Sequence, residues 1–406
     1  MSNEVFTIIM EEYKKKLVQL NSFITNDTIV VRSPGRINLI GEHTDYNEGF
    51  VLPAAIDKAI YVAVNKREDS VIQLYSVDYK EEYSVLLNEI KPTKSWATYI
   101  LGVVQQLKDR GYFIGGFSMA IDGDVPIGAG LSSSAAIECA TVYALNELFS
   151  LRIKKMEMAL IAQKAEHEFA GVQCGIMDQF ASMFGKVNHA IRLDCRSLEY
   201  QYVPFSMRGI KIVLLDTNVK HSLASSEYNV RRQQCEKGVE LVKAHLPQVK
   251  SLRDVTLDML EKFVLPNDKI VYNRCKYVVE ENARLQSACM DLEKNDIKAF
   301  GKKMFNTHFG LSDLYEVSCK ELDFLVEEVK GNPSVLGARM MGGGFGGCTI
   351  NLVKEEAVEE LVNKVSMSYK KVMKKDLKAY IAVIADGTSV IELNSGKLSE
   401  NVYSDN

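Results

Sequence analysis

Three stretches of this 406-residue chain carry residue types that could do chemistry. The first is Pro126-Ile127-Gly128-Ala129-Gly130-Leu131-Ser132-Ser133-Ser134-Ala135-Ala136. Its two glycines, one residue apart, free the backbone for positive φ and for close approach by a ligand. The residues that follow open a helical pattern, and a helix start presents unpaired N–H groups and the positive end of its dipole. A glycine loop feeding such a start can hold an anion, and hydroxyls add donors and hard-metal ligands. The run reads either as a helix cap or as a phosphate cradle, and three serines exceed what a cap needs. It is not a Walker loop, because none of Gly185-Lys186, Gly301-Lys302 and Gly396-Lys397 is followed by Ser or Thr.

The second stretch runs from Ser33 to Asn47 and places Arg36, Asn38, Glu42, His43 and Asp45 among apolar residues. Arg36 and Asn38 alternate with Ile37 and Leu39, so a strand would point both polar groups to one face. Glu42, His43 and Asp45 offer acceptors and a switchable donor, which suit a polyhydroxylated ligand. An internal ion pair of Arg36 with one carboxylate is the plainer alternative. The third is Ile176-Met177-Asp178-Gln179-Phe180-Ala181, a helix start after the break at Gly171 to Gly175. In a first turn the helix dipole favours the Asp178 carboxylate, whether it serves its own helix or a site.

These groups need elements to hold them. Periodicity predicts helices over Met10–Leu20, Ser95–Arg110, from the serine loop to about Phe149, and over Met156–Ala170. It predicts strands over Thr28–Arg32, Phe50–Lys66, Val71–Ser76, Gly116–Asp122, His189–Asp194, Leu198–Val203 and Ile210–Asp216. Successive helices follow from Tyr228 to about Val329. Then come strands over Leu336–Met340 and Cys348–Val353, a long helix from Val358, and a last strand over Tyr380–Ala385. Gly342 to Gly347 fits a dinucleotide fingerprint by letters alone, but a strand follows it where a helix is required. Trp96, the sole tryptophan, reads as core rather than ligand-facing.

Composition sets outer limits. Apolar residues make up 47% and charged ones 25%, the profile of a globular enzyme with sizeable cores. A net charge of −4 argues against nucleic acid or an anionic membrane as the main partner. The basic run from Lys370 to Lys378 ends a helix whose start is acidic, which complements its dipole. Eight cysteines without a Cys-x-x-Cys pair read as thiols in a reducing, cytoplasmic compartment. Neither a signal-peptide core nor a membrane-length apolar run stands out, and no obligatory protein partner is evident.

The motif Pro-x-Gly-x-Gly-Leu-Ser-Ser-Ser-Ala at 126–135 resembles that of the GHMP small-molecule kinases. Gly35-Arg36-Ile37-Asn38-Leu39-Ile40-Gly41-Glu42-His43-Thr44-Asp45-Tyr46 is similar to the signature of their galactokinase branch. Cys174 to Phe180 resembles the segment bearing the catalytic Asp. Gly337 to Gly347 resembles the third motif, with Met341 where Thr is expected.

The resemblance implies an α+β fold in two domains, with the active site between them. Residues 1–205 would form a ribosomal-protein-S5-like domain binding sugar and ATP, and 206–406 a ferredoxin-like domain. It implies ATP-dependent phosphorylation of galactose at the C1 hydroxyl to galactose 1-phosphate and ADP, the first committed step of galactose catabolism. Asp178 and Arg36 would be catalytic. Glu42, His43, Asp45, Gly175 and Tyr228 would join Arg36 and Asp178 around the sugar. Gly128, Ala129, Gly130, Leu131, Ser132, Ser133 and Ser134 would hold ATP, with Mg2+ on Ser134 and Glu166. A kinase for N-acetylgalactosamine or arabinose, or a non-catalytic galactose sensor on the same fold, are the alternatives.

Overall fold

The strand carrying Arg36 is longer than its apolar run suggests. In the computed structural model, which describes residues 20–126, 128–205, 208–219, 224–394 and 397–398, β1 spans Ile29–Asn38. The helix expected over Met10–Leu20 falls outside these residues except for Leu20. β1 passes through Pro34, and its register against the next long strand shifts between Pro34 and Arg36. Proline has no N–H to give a ladder, so a bulge is where a strand tolerates it. Gly35 sits at this shift, and a Cβ there would meet the Leu131 carbonyl at 2.8 Å. The missing side chain lets the serine loop lie directly against β1, and Arg36 N–H donates to Leu131 O at 3.1 Å.

After β1 come β2 (Phe50–Val51), β3 (Pro53–Lys66), β4 (Val71–Ser76), β5 (Glu81–Leu86) and β6 (Phe117–Gly123). β1, β3, β6, β4 and β5 lie side by side in that order, antiparallel except for the parallel β4–β6 pair. Helices Ala97–Asp109, Ser133–Leu148, Lys155–Ala165 and Met177–Phe184 pack on this sheet. Val31, Val62, Leu74, Ile100, Leu145, Ile161 and Phe180 meet in one core. β7 (His189–Asp194) and β8 (Tyr200–Pro204) form a small sheet with β2.

The second half builds an antiparallel sheet from β9 (Ile210–Asp216), β10 (Val335–Met340), β11 (Cys348–Lys354) and β12 (Lys378–Ala382), in the order β10-β11-β9-β12. Between β9 and β10 run the helices Ala224–Lys243, Lys269–Glu293, Ile297–Phe309 and Lys320–Val329, with shorter turns among them. Two of these helices start on side-chain caps, Asp268 accepting from Val271 N–H and Asp296 from Ala299 N–H. Of the basic run, Lys370 and Lys371 lie in the last turn of the helix Val358–Met373 and Lys374 is its left-handed C-cap, while Lys378 already begins β12.

The mixed α+β architecture expected from the sequence is present, and its halves are joined in two ways. Ile37, Leu39 and Ala54 share a core with Ile212, Phe300 and Ile350. A short strand, β13 (Ser389–Ile391), returns to pair with β1, so 206–406 does not keep all its strands in one sheet. Among the described residues no helix is long and apolar enough to cross a membrane.

Candidate active site

Arg36 and Asp178 meet where β1 and the helix Met177–Phe184 approach each other. The guanidinium donates to both carboxylate oxygens, Nε to Oδ1 and Nη2 to Oδ2, each at 2.7 Å. Such a fork is the strong form of an ion pair. Burial alone would depress Arg36, but Asp178 and Glu42 beside it reverse this and raise its pKa. Arg36 Nη1 also donates to the Gly130 carbonyl at 2.5 Å, fixing the charge against the loop. Asp178 is a quarter exposed, the arrangement of a group that can meet a substrate.

The serine loop is not a helix cap. Ser132 stands at the N-cap of Ser133–Leu148 in the left-handed region, φ 59°, and its side chain caps nothing. Its hydroxyl instead donates to Asp178 Oδ2. Ser134 hydrogen-bonds the Glu166 carboxylate, and Ser133 and Ser134 both face a cavity of about 740 Å³. The three hydroxyls thus serve the acidic group, the cavity and a second carboxylate. Ala129 has a fully buried side chain, and its N–H donates to Pro126 O at 3.4 Å. The Leu131 side chain is likewise buried, which leaves Gly128, Gly130 and the serines as the accessible part of the loop.

Around Arg36 and Asp178 gather the other expected residues. Asp45 follows the sharp turn at His43, and Gly175 is required beside it, because a Cβ at Gly175 would overlap the Asp45 carboxylate. Burial first, then Asp178, pushes Asp45 up to about 7. Glu42 is more committed than the sequence implied. Its Oε1 accepts from Gly342 N–H at 2.7 Å and from Arg339 at 3.1 Å, and its Oε2 from Asn38 at 2.9 Å. Burial raises it, yet Arg339 and Arg36 outweigh that and hold it below the ordinary range.

His43 is buried, which pulls it down to about 4 and keeps it neutral. Since a carbonyl only accepts, Nε2 carries the proton donated to Gly343 O at 3.2 Å, and Nδ1 accepts from Tyr46 Oη at 2.7 Å. A sugar hydroxyl taking His43 Nε2 as partner has to displace the Gly343 carbonyl. Tyr228 closes the group, its ring 5.2 Å from those of His43 and Tyr46.

The glycine run 342–347 is a turn between β10 and β11, against the dinucleotide reading, and it abuts the serine loop. A Cβ on Gly130 would lie 3.3 Å from Met341 O. Met341 itself is buried in the shared core, so packing replaces the hydroxyl that Thr would bring.

Glu166 begins a π-helical turn, Glu166–Ala170, that follows Lys155–Ala165. Such turns re-aim one side chain out of helical register. Burial and then Asp178 raise its pKa. One carboxylate and one hydroxyl in contact suit Mg2+, which takes few protein ligands and completes its shell with phosphate and water oxygens. No group of three or more His, Cys, Asp or Glu that could hold a metal occurs among the described residues. The cavity beyond is lined by Asp78, Tyr79, Glu81, Trp96, Tyr99, Ile137 and Phe169. Trp96, expected in the core, is only half-buried: it packs against the core and faces this cavity, with Nε1 donating to Glu81 at 3.1 Å. Sequence reasoning gave no role to Glu81, Arg339 or Gln179, although the last two lie inside the motifs at 337–347 and 174–180. Strand alternation pairs Asn38 with Arg36, and the Asn38 amide serves Glu42.

Comparison with known proteins agrees with this geometry. Residues 98–186 match the GHMP kinases N terminal domain, 290–371 the GHMP kinases C terminal, and 21–66 the galactokinase galactose-binding signature. Galactokinase of Thermotoga neapolitana is 44% identical over 361 residues, 89% of this chain and 99% of that protein. Galactokinase of Thermosipho africanus is 44% identical over 84% of this chain and 93% of its own. Among solved structures, Lactococcus lactis galactokinase complexed with galactose superposes with a TM-score of 0.87 at 35% identity, covering 95% of this chain and 99% of that one. Methanococcus jannaschii mevalonate kinase shares the fold, with a TM-score of 0.65 at 19% identity over 89% of this chain and all of its own. The chain is a kinase and belongs to the galactokinase family of the GHMP kinases.

Proposed function

We propose that the protein transfers the γ-phosphoryl group of ATP to the C1 hydroxyl of galactose. The observation that carries this is the Arg36–Asp178 fork, set between the sugar-facing loop and the serine loop. The C1 oxygen forms a bond to the γ-phosphorus as the bond to the β,γ-bridging oxygen breaks, ADP departs, and the hydroxyl proton passes to Asp178. Phosphoryl transfer needs positioning and charge neutralisation above all. Arg36 supplies the cation, and Gly128, Gly130 and the serines supply the donors. Mg2+ held by Ser134 and Glu166 would neutralise phosphate charge. The cavity beside Ser133, with Trp96 and Tyr99 in its wall, suits the nucleotide base. Eight free cysteines, five of them buried, fit a reducing cytoplasm.

The test is ADP release across a sugar panel. A site that hydrogen-bonds a hydroxyl rejects its misplacement by up to ~10⁴-fold. Galactose should therefore far outpace glucose, its C4 epimer, and give a 1-phosphate. Equal rates with both sugars, or a 6-phosphate product, would overturn the assignment.

A further inference from the structure

Behind the proposed metal ligand lies a carboxylate that the mechanism does not use. Glu138 stands one turn after Ser134 on the helix Ser133–Leu148 and is fully buried. Residues four apart on a helix share a face, so it looks the same way as Ser134. Gln179, also fully buried, follows Asp178 on the helix Met177–Phe184. Its amide Nε2 donates to Glu166 Oε2 at 2.7 Å and to Glu138 Oε2 at 3.1 Å. An amide nitrogen has two hydrogens, and each has one carboxylate to serve. This orientation of the amide gives one oxygen of each acid a donor, which the opposite orientation would withdraw from both.

The arrangement does not look optimised for stability. Glu138 Oε1 and Gln179 Oε1 are buried without a hydrogen-bond partner. Groups of this kind destabilise a fold, and an apolar pair of the same shape would avoid the cost. What the pair does achieve is geometric. Gln179 and the Cys174 thiol, at 3.5 Å, both donate to Glu166 Oε2, leaving Oε1 unclaimed by either. Glu166 also opens a π-helical turn, a form found frequently at functional sites.

We propose that Gln179, locked by Glu138, is a positioning residue that fixes the Glu166 carboxylate so that one oxygen is held and the other is presented to the metal–nucleotide complex. It thereby ties three helices, those bearing Ser134, Glu166 and Asp178, into one register. This rests on the reading of Ser134 and Glu166 as the Mg2+ site. Removing partners that orient a metal ligand costs ~10–100-fold in metal affinity.

The experiment compares ADP binding with Mg2+ and with EDTA by calorimetry, alongside the Mg2+ concentration giving half-maximal rate. The variants are Gln179→Met, Glu138→Met, Glu138→Gln and Glu166→Ala. Gln179→Met should lose ~10-fold or more of the Mg2+-dependent gain in ADP affinity, with metal-free ADP binding retained. Glu138→Met should move the same way. Glu138→Gln keeps an acceptor for Gln179 and brings an N–H for its unpartnered Oε1, so it should remain nearer the parent than Glu138→Met. A lower melting temperature in both Met variants with the Mg2+-dependent gain intact, while Glu166→Ala abolishes it, would overturn the inference and leave Gln179 as packing. An unchanged gain in Glu166→Ala would instead overturn the metal reading itself. If Gln179→Met does not fold, the order of the two Glu138 variants decides.

Discussion

Arg36 and Asp178 each make sense only with the other. A buried guanidinium without its carboxylate, or the reverse, leaves an uncompensated charge that costs far more than the pair contributes. Asp178→Asn keeps the shape and one acceptor but cannot take a proton. As general base its loss should lower kcat by ~10² to 10⁴ while galactose and ATP still bind. Retention of most of the parental kcat would reduce Asp178 to orienting the sugar. Asp45 makes a different prediction. Its folded-state value, about 7, lies above the ordinary 3.8, so the folded protein holds a proton that the unfolded chain has lost at mid-range pH. Its contribution to stability is therefore complete at low pH and is lost as pH rises from the ordinary value through about 7. A sugar hydroxyl donating to Asp45 favours the ionised form. Galactose binding below pH 7 should thus release a proton and tighten as pH rises, measurable by calorimetry in buffers of different ionisation heat. Asp45→Asn should abolish that proton release, and its persistence in the variant would assign it elsewhere.

Between residue and molecule, the elements show how little of the aiming is local. The helix after the serine loop was legible because its apolar periodicity and glycine-serine start are written in consecutive residues. Its N-cap was not, since Ser132 abandons capping for a partner 46 positions away. β5 escaped notice because its outer residues are acidic and exposed, with only alternate positions half-buried at the edge of the sheet. Glu42 was read as a sugar acceptor from its neighbours in sequence, whereas Gly342, 300 positions on, takes one of its oxygens. Gln179 looked like part of a motif with no task of its own. These are contacts between distant segments, and no periodicity records them. Ser132 allows a direct test of the element. A non-glycine residue in the left-handed region costs about 1–2 kcal/mol, which glycine avoids. Ser132→Gly should therefore be more stable than Ser132→Ala by about 1 kcal/mol. Both lack the hydroxyl that meets Asp178, so both should fall in kcat by a similar factor despite their different stabilities. Thermal melts and kinetics on the two variants separate the backbone effect from the hydroxyl.

Across the whole molecule, the shared core denies the halves independence. Ile37, Leu39 and Ala54 from the first sheet's half interlock with Ile212, Phe300 and Ile350 from the second. Burying a side chain of this kind contributes roughly 1.5–3 kcal/mol, and neither half keeps that contribution alone. Unfolding in urea should then be a single transition. Trp96, the one tryptophan, reports on the first half, while far-UV circular dichroism weights the helices between β9 and β10. The two curves should coincide, and separated midpoints would show halves that unfold independently. The returning strand β13 joins this union at the site. Thr388, just before it, hydrogen-bonds Ser33 on β1 through its hydroxyl, and its N–H and Oγ1 both donate to Ser182 O on the Asp178 helix. Ser33 and Thr388 stand 355 positions apart. A ribosome therefore makes the Arg36 strand and the Asp178 helix long before the segment that straps them together. The nascent chain carries both reactive groups through about half of synthesis without their final brace. A stop codon shortly before Thr388 would act as an active-site lesion, although it leaves every proposed substrate contact in place.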